Sequence, residues 1–156
     1  MTLDPTARKA NFRDSIKKYL VDSLNRSSGI ELTFDKMLTA PTLQGTSVDR
    51  WVSVVFGPVE RKSMSTAYLE LYCCTRKDPE GFRLSQLVDT VVGYLTDPDM
   101  TDTMKRITLY RSYPSQPWES IGSIVFQEIL ESDEMVYEDM TKFVILTVTC
   151  RWGSKI

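Results

Sequence analysis

The sequence predicts an α+β fold: a mixed, mainly antiparallel β-sheet with two principal α-helices packed on it. Three observations predict it. Ala67, Leu69, Leu71 and Cys73 alternate with Tyr68, Glu70, Tyr72 and Cys74, and a period of two sends the two sets to opposite faces of a strand. Leu84, Leu87, Val88, Val91, Val92 and Leu95 recur at i, i+3, i+4, i+7, i+8 and i+11, one face of an amphipathic helix. Lys142–Trp152 alternates again, with Val144, Leu146, Val148, Cys150 and Trp152 on one side and Phe143, Ile145, Thr147, Thr149 and Arg151 on the other. Burying the six apolar side chains of the helix contributes about 1.5–3 kcal/mol each before conformational entropy is subtracted. That face needs an apolar cover, and the strands supply one.

The other elements follow in chain order. Thr6–Asn25 reads as the first helix, started by Pro5 with Asp4 as cap. Its apolar stripe is Phe12, Ile16, Tyr19, Leu20, Ser23 and Leu24; Arg8, Lys9, Arg13, Lys17 and Lys18 fall largely elsewhere and read as a solvated outer face. Gly29 is placed to take the left-handed conformation of a C-terminal cap. Ile30–Met37 reads as a strand, Leu38–Asp49 as a loop, and Arg50–Phe56 as a second strand rich in Val and aromatic residues. Gly57–Thr66 reads as a long hairpin loop. Asp78-Pro79-Glu80-Gly81 is the turn that leads into the amphipathic helix. Thr96–Arg106 reads as a polar loop whose carboxylates lack calcium-loop spacing. Ile107–Tyr113 is a short strand, Pro114–Pro117 a break, and Trp118 a partly buried residue of the connection. Ile121–Leu130 fits strand or helix, and the alternation of Ile121, Ser123, Val125, Gln127 and Ile129 supports strand.

The totals bound the function. A chain of 156 residues reads as one domain with a sizeable core. Nineteen basic and 21 acidic residues leave a net charge of −2, which gives no whole-protein drive towards nucleic acid or an anionic membrane. The longest apolar run, Phe143–Cys150, is too short to span a bilayer, and the N-terminus has no apolar signal core. Three cysteines without a secretion signal suggest reduced thiols. There is no histidine, which removes Ser-His and Cys-His nucleophilic pairs and His-ligated metals but leaves carboxylate and lysine chemistry open. Phosphate-loop, dinucleotide, paired-CxxC, HExxH and GxSxG motifs are all absent. The sequence therefore calls for no enzyme activity and no cofactor.

Two stretches remain as candidate surfaces. The loop Gly57–Thr66 carries Glu60, Arg61, Lys62 and Met64; it reads equally as a partner-contacting arm or a plain hairpin tip. Glu131, Asp133, Glu134, Glu138 and Asp139 form an acidic run interrupted by Met135, Val136 and Tyr137. It reads as a solvated loop or as an electronegative surface facing DNA or a basic partner.

The order of elements adds a resemblance. The helix Asn11–Leu24, the strand Arg50–Phe56, the strand–turn–helix Ala67–Leu95 and the closing strand Lys142–Trp152 together resemble the tail terminator proteins of long-tailed phages, the lambda tail terminator family. The likeness spans nearly the whole chain, except that Leu38–Asp49 and Pro114–Ser120 carry no matching motif. It implies a structural virion protein: a hexameric homo-oligomer forming a ring on the head-proximal end of the tail tube. Such a ring stops tube polymerisation and presents a new face to the neck, or head-completion, protein. It implies contacts with a neighbouring subunit or the tail tube protein through Glu60, Arg61, Lys62 and Met64, and a lumen- or neck-facing acidic surface past which DNA slides without specific binding. Host cytoplasm during assembly and the virion afterwards would be its locations. Another neck, head–tail connector or tail-completion protein fits the same pattern. An enzyme using carboxylates or lysines, and a nucleic-acid-binding module using Arg8–Lys18, are the readings from other classes.

Overall fold

The computed structural model describes residues 8–35, 42–43, 46–47, 49–62, 64–97, 104–111, 119–137 and 140–154. Helix α1 (Arg8–Leu20) runs into a π-helical segment, Val21–Arg26. The strands are β1 (Glu31–Phe34), β2 (Thr42–Leu43), β3 (Thr46–Ser47), β4 (Arg50–Glu60) and β5 (Ser65–Thr75), then β6 (Arg106–Arg111), β7 (Glu119–Glu131), β8 (Met135–Val136) and β9 (Lys142–Ser154). Helix α2 (Phe82–Leu95) lies between β5 and β6. The main sheet has the order β1-β4-β5-β9-β7-β6, with β8 also on β9. Only the β1–β4 pair is parallel, so the mixed, mainly antiparallel α+β architecture is what the sequence predicts.

Both helices pack on one face of the sheet. Phe12, Ile16, Leu20 and Leu24 of the first helical stretch join Leu84, Leu87, Val88, Val91 and Leu95 of α2 in one core. The sheet contributes Leu69, Leu71 and Cys73 from β5 and Val144, Leu146, Val148, Cys150 and Trp152 from β9. The alternation in both central strands is thus realised side chain by side chain, and Trp152 stacks on Phe12 with ring centroids 4.2 Å apart. On the opposite face, Trp51, Tyr72 and Cys74 form a smaller buried cluster with Val55, Phe143 and Ile145 against it.

Helix α1 ties together the two edge strands of the sheet, β1 and β6. Arg13 pairs with Asp35 just beyond β1, and the Ser15 hydroxyl accepts a 2.8 Å hydrogen bond from the Tyr110 amide of β6. Arg13 and Lys17 also lie over the rings of Phe56 and Phe34. The basic helix face is therefore partly packed on aromatic rings, rather than a purely solvated surface. Helix α1 gives way to the π-helical segment at Val21. Gly29, at φ 66°, takes the left-handed position expected of it, and its amide donates to the Asn25 carbonyl.

Several boundaries differ from the sequence reading. Gly57–Thr66 is no ten-residue loop, because β4 continues to Glu60 and β5 starts at Ser65. A bulge between Phe56 and Val59 absorbs Gly57 and Pro58 and lets the ladder resume. Short strands β2 and β3 pair antiparallel inside the stretch read as a loop. Strand β7 is a strand, but the alternating set does not share one face. Irregularities opposite Leu109/Tyr110 and at Phe126/Glu128 shift the phase, so Ile124 and Phe126 are fully buried. Asp4, Pro5, Pro98, Asp99, Trp118, Glu138 and Asp139 lie outside the described residues.

Candidate functional site

The first candidate surface is the β4–β5 tip. Gly57 makes it possible: a Cβ there would sit 2.7 Å from the Tyr68 carbonyl oxygen, so only glycine fits the close approach of the bulged strand to its partner. Beyond the bulge, Val59 pairs with Ala67 and Glu60 with Thr66. Glu60 belongs to the strand and pairs with Lys62 at 2.8 Å, while Arg61 and Lys62 are exposed in the turn and Met64 is 44% exposed. The four residues singled out in the sequence are thus brought together on one tight, rigidly based turn. Arg151 and Arg106, exposed on β9 and β6, lie at the same level of the sheet through the pairings Thr66–Arg151 and Arg106–Val125–Arg151.

The second candidate surface is the acidic ridge. Glu131 ends β7, opposite Leu146, and Asp133 is exposed in the connection to β8. Glu134 is engaged: its carboxylate lies 3.6 Å from Lys142 and packs over Gly81 at the start of α2. The same ridge carries exposed apolar side chains, and Leu130 and Met140 extend them beyond the Met135, Val136 and Tyr137 interruption read in the sequence. Leu130 is 71% exposed and Met140 71%, with Val136 and Tyr137 also open. The ridge and the hairpin tip sit at opposite ends of the sheet, since Ser65 pairs with Trp152 whereas Val136 pairs with Lys142.

Turn Asp78–Gly81 carries a cap that the sequence reading missed. The Asp78 carboxylate accepts hydrogen bonds from the Leu84 amide at 2.9 Å, the Arg83 amide at 3.3 Å and the Thr75 hydroxyl at 3.1 Å. Burial opposes its ionisation, but the Leu84, Arg83 and Thr75 hydrogen bonds and the Arg83 charge outweigh it and hold the carboxyl below its ordinary value. It anchors the α2 N-terminus to β5. An Asp three residues ahead of a positive-φ Gly was the available signal.

A groove of about 230 Å³ opens between α1 and β6, lined by Ser15, Lys18, Tyr19, Asp22, Lys105 and Tyr110 among others. Its carboxylate, Asp22, is held below its ordinary value chiefly by the hydrogen bond from Lys18. Burial, helped by Tyr94, pushes the Tyr19 phenol up to about 12. The groove thus offers paired ions and a protonated phenol, with no raised carboxylate to serve as an acid at neutral pH. All three thiols are buried; burial pushes Cys150 up to about 12 and Cys73 higher still. Among the described residues no group of three or more acidic or Cys side chains is arranged to hold a metal ion, and no helix is long and apolar enough to cross a membrane.

No family model and no curated protein matches the sequence. Solved structures do match. The chain is similar to one whose title states no function, at 9% identity and a TM-score of 0.59, over 95% of this chain and 97% of that one. At that identity the likeness concerns the fold alone, and it extends over essentially the whole of both chains.

Proposed function

We propose that this chain is a phage tail terminator, a subunit of a hexameric ring that caps the head-proximal end of the tail tube. The observation that carries the reading is the separation of two chemically different surfaces on one rigid sheet. The basic and apolar β4–β5 tip stands at one end, the acidic ridge at the other. A subunit that closes a ring needs two different patches, because a heterologous contact uses one patch of each neighbour. A terminator further needs one ring face that copies the tube's stacking surface and one that refuses another tube ring.

In this reading Arg61, Lys62 and Met64 reach a neighbour or the tube subunit, and the acidic side chains Asp133 and Glu134 face the lumen or the neck protein. Carboxylates along the lumen repel DNA phosphates, so the genome passes without sticking. The test is negative-stain imaging of the protein mixed with tail-tube subunit, alongside its mass in solution relative to the 17.9 kDa chain. Rings seated on tube ends are expected. Protein that never occupies tube ends contradicts the reading and shifts it to a connector on the head side.

A further inference from the structure

Strand β6 ends the sheet order, and among the described residues no strand lies beyond it. Its register on β7 tells which way its backbone groups point. Arg106 faces Val125, Ile107 faces Ile124, Thr108 faces Ser123 and Leu109 faces Gly122. One step earlier, the Phe126 amide donates to the Lys105 carbonyl at 3.1 Å. Facing residues of an antiparallel ladder exchange hydrogen bonds only at every second position. The bonded positions of β6 are therefore Lys105, Ile107 and Leu109. Arg106 and Thr108 turn their N–H and C=O groups away from β7, to the outer edge of the sheet.

At the next outward residue, Tyr110, α1 already acts as a strand would. The Ser15 hydroxyl accepts from the Tyr110 amide at 2.8 Å and donates to the Tyr110 carbonyl at 3.4 Å, so one side chain engages both groups. No described residue does the same for Thr108 or Arg106. Instead, the groove of about 230 Å³ between α1 and β6 opens there. Its charged lining is three cations, Lys18, Lys105 and Arg106, against one carboxylate, Asp22. Asp22 is already engaged by Lys18 and Arg26. Arg106 is exposed and has no ion pair among the described residues, and Lys105 rests over the Tyr19 ring at 5.6 Å. An open edge is a template for another strand, and its side chains select what pairs.

We infer that this groove takes an extended acidic segment of a partner protein, added to β6 as a further strand. The segment's backbone pairs with Thr108 and Arg106, and its carboxylates meet Lys105 and Arg106. Successive side chains of a strand point to opposite sides of the sheet, and a cation stands on each side. Arg106 shares its side with Thr108, whereas Lys105 shares the core side with Ile107 and Leu109. Two neighbouring acidic residues therefore fit. The edge also separates a peptide from nucleic acid on the same cations. Thr108 and Arg106 offer carbonyl acceptors as well as amide donors, and a DNA backbone has only acceptors to set against them. A peptide strand answers both.

The probe is a fluorescein-labelled peptide, Thr-Val-Glu-Glu-Val-Thr, whose adjacent carboxylates fall on opposite sides of a strand. Fluorescence anisotropy reads its binding to the full chain at low salt. Saturable binding below about 1 mM is expected. N-methylating the peptide nitrogens keeps the charge, removes the donors and should weaken binding about tenfold or more. Thr108→Pro removes one outward N–H and leaves the β7 ladder intact, since an edge strand tolerates proline where its N–H faces outwards; it should weaken binding by a similar factor. Lys105→Gln combined with Arg106→Gln should also weaken it and flatten its salt dependence. Failure of the peptide to bind the unaltered chain overturns the inference, as does equal binding of the N-methylated form. A short DNA duplex that binds through the same two cations, with the N-methylated peptide binding as well as its parent, assigns the groove to anions in general and rejects the added strand. Should Thr108→Pro fail to fold, the N-methylated peptide and the charge variant still decide.

Discussion

Replacing Asp78 with Ala tests how α2 is held on the sheet. The carboxylate is 9% exposed and accepts three hydrogen bonds, two from the first amides of α2 and one from the fully buried Thr75 hydroxyl. Losing a cap of this kind costs about 1 kcal/mol. Leaving a buried hydroxyl without its acceptor costs about 1–3 kcal/mol more. The expected loss is therefore roughly 2–4 kcal/mol, or roughly 5–15 °C in Tm for a domain of this size. Urea unfolding reads it as a lower midpoint at unchanged slope. The pH dependence has a definite sign. Because the folded-state pKa is depressed, the contribution is fully present above the unfolded carboxyl value of about 3.9 and is lost as pH falls through the folded value. Asp78→Asn keeps one acceptor oxygen and should lie between wild type and Asp78→Ala, with its deficit shrinking in acid. A loss below about 0.5 kcal/mol for Asp78→Ala, the range of ordinary surface substitutions, would refute the account.

Three further outcomes are expected. Gly57→Ala forces a Cβ against the Tyr68 carbonyl and should destabilise by about 1–3 kcal/mol in chemical unfolding, as overpacking does. Ser15→Ala removes the acceptor of the Tyr110 amide and should cost about 1–2 kcal/mol, with faster hydrogen exchange along β6. None of the three thiols should react with a maleimide in the native protein, and all three should react in denaturant, because each is buried.

The apolar code of the sequence carried the architecture. Leu69, Leu71 and Cys73 opposite Val148, Leu146 and Val144 are a period-two signal that nothing in the fold overrides, and the α2 stripe is buried largely as its spacing predicts. What the pattern could not convey was irregularity. One extra residue at Gln127 reverses which side chains face the core, and hydropathy alternation has no mark for a bulge. Pro58 and Gly57 did mark one, but as turn residues they read equally well as a loop, which hid the continuation of β4. The candidate surface was legible only by halves. Charge runs drew attention to Arg61, Lys62, Glu131 and Asp133, yet Glu134 proved tied to Lys142, and the exposure of Leu130 follows from the end of β6, a tertiary fact. The capping role of Asp78 was similarly hidden, because its partners lie in two elements.

The most direct test of the ring-cap account is the growth of preformed tail tubes supplied with fresh tube subunit, with and without this protein. The account predicts that tubes given the protein keep their starting length, each bearing a ring at one end, while untreated tubes lengthen. Equal lengthening in both samples would contradict it.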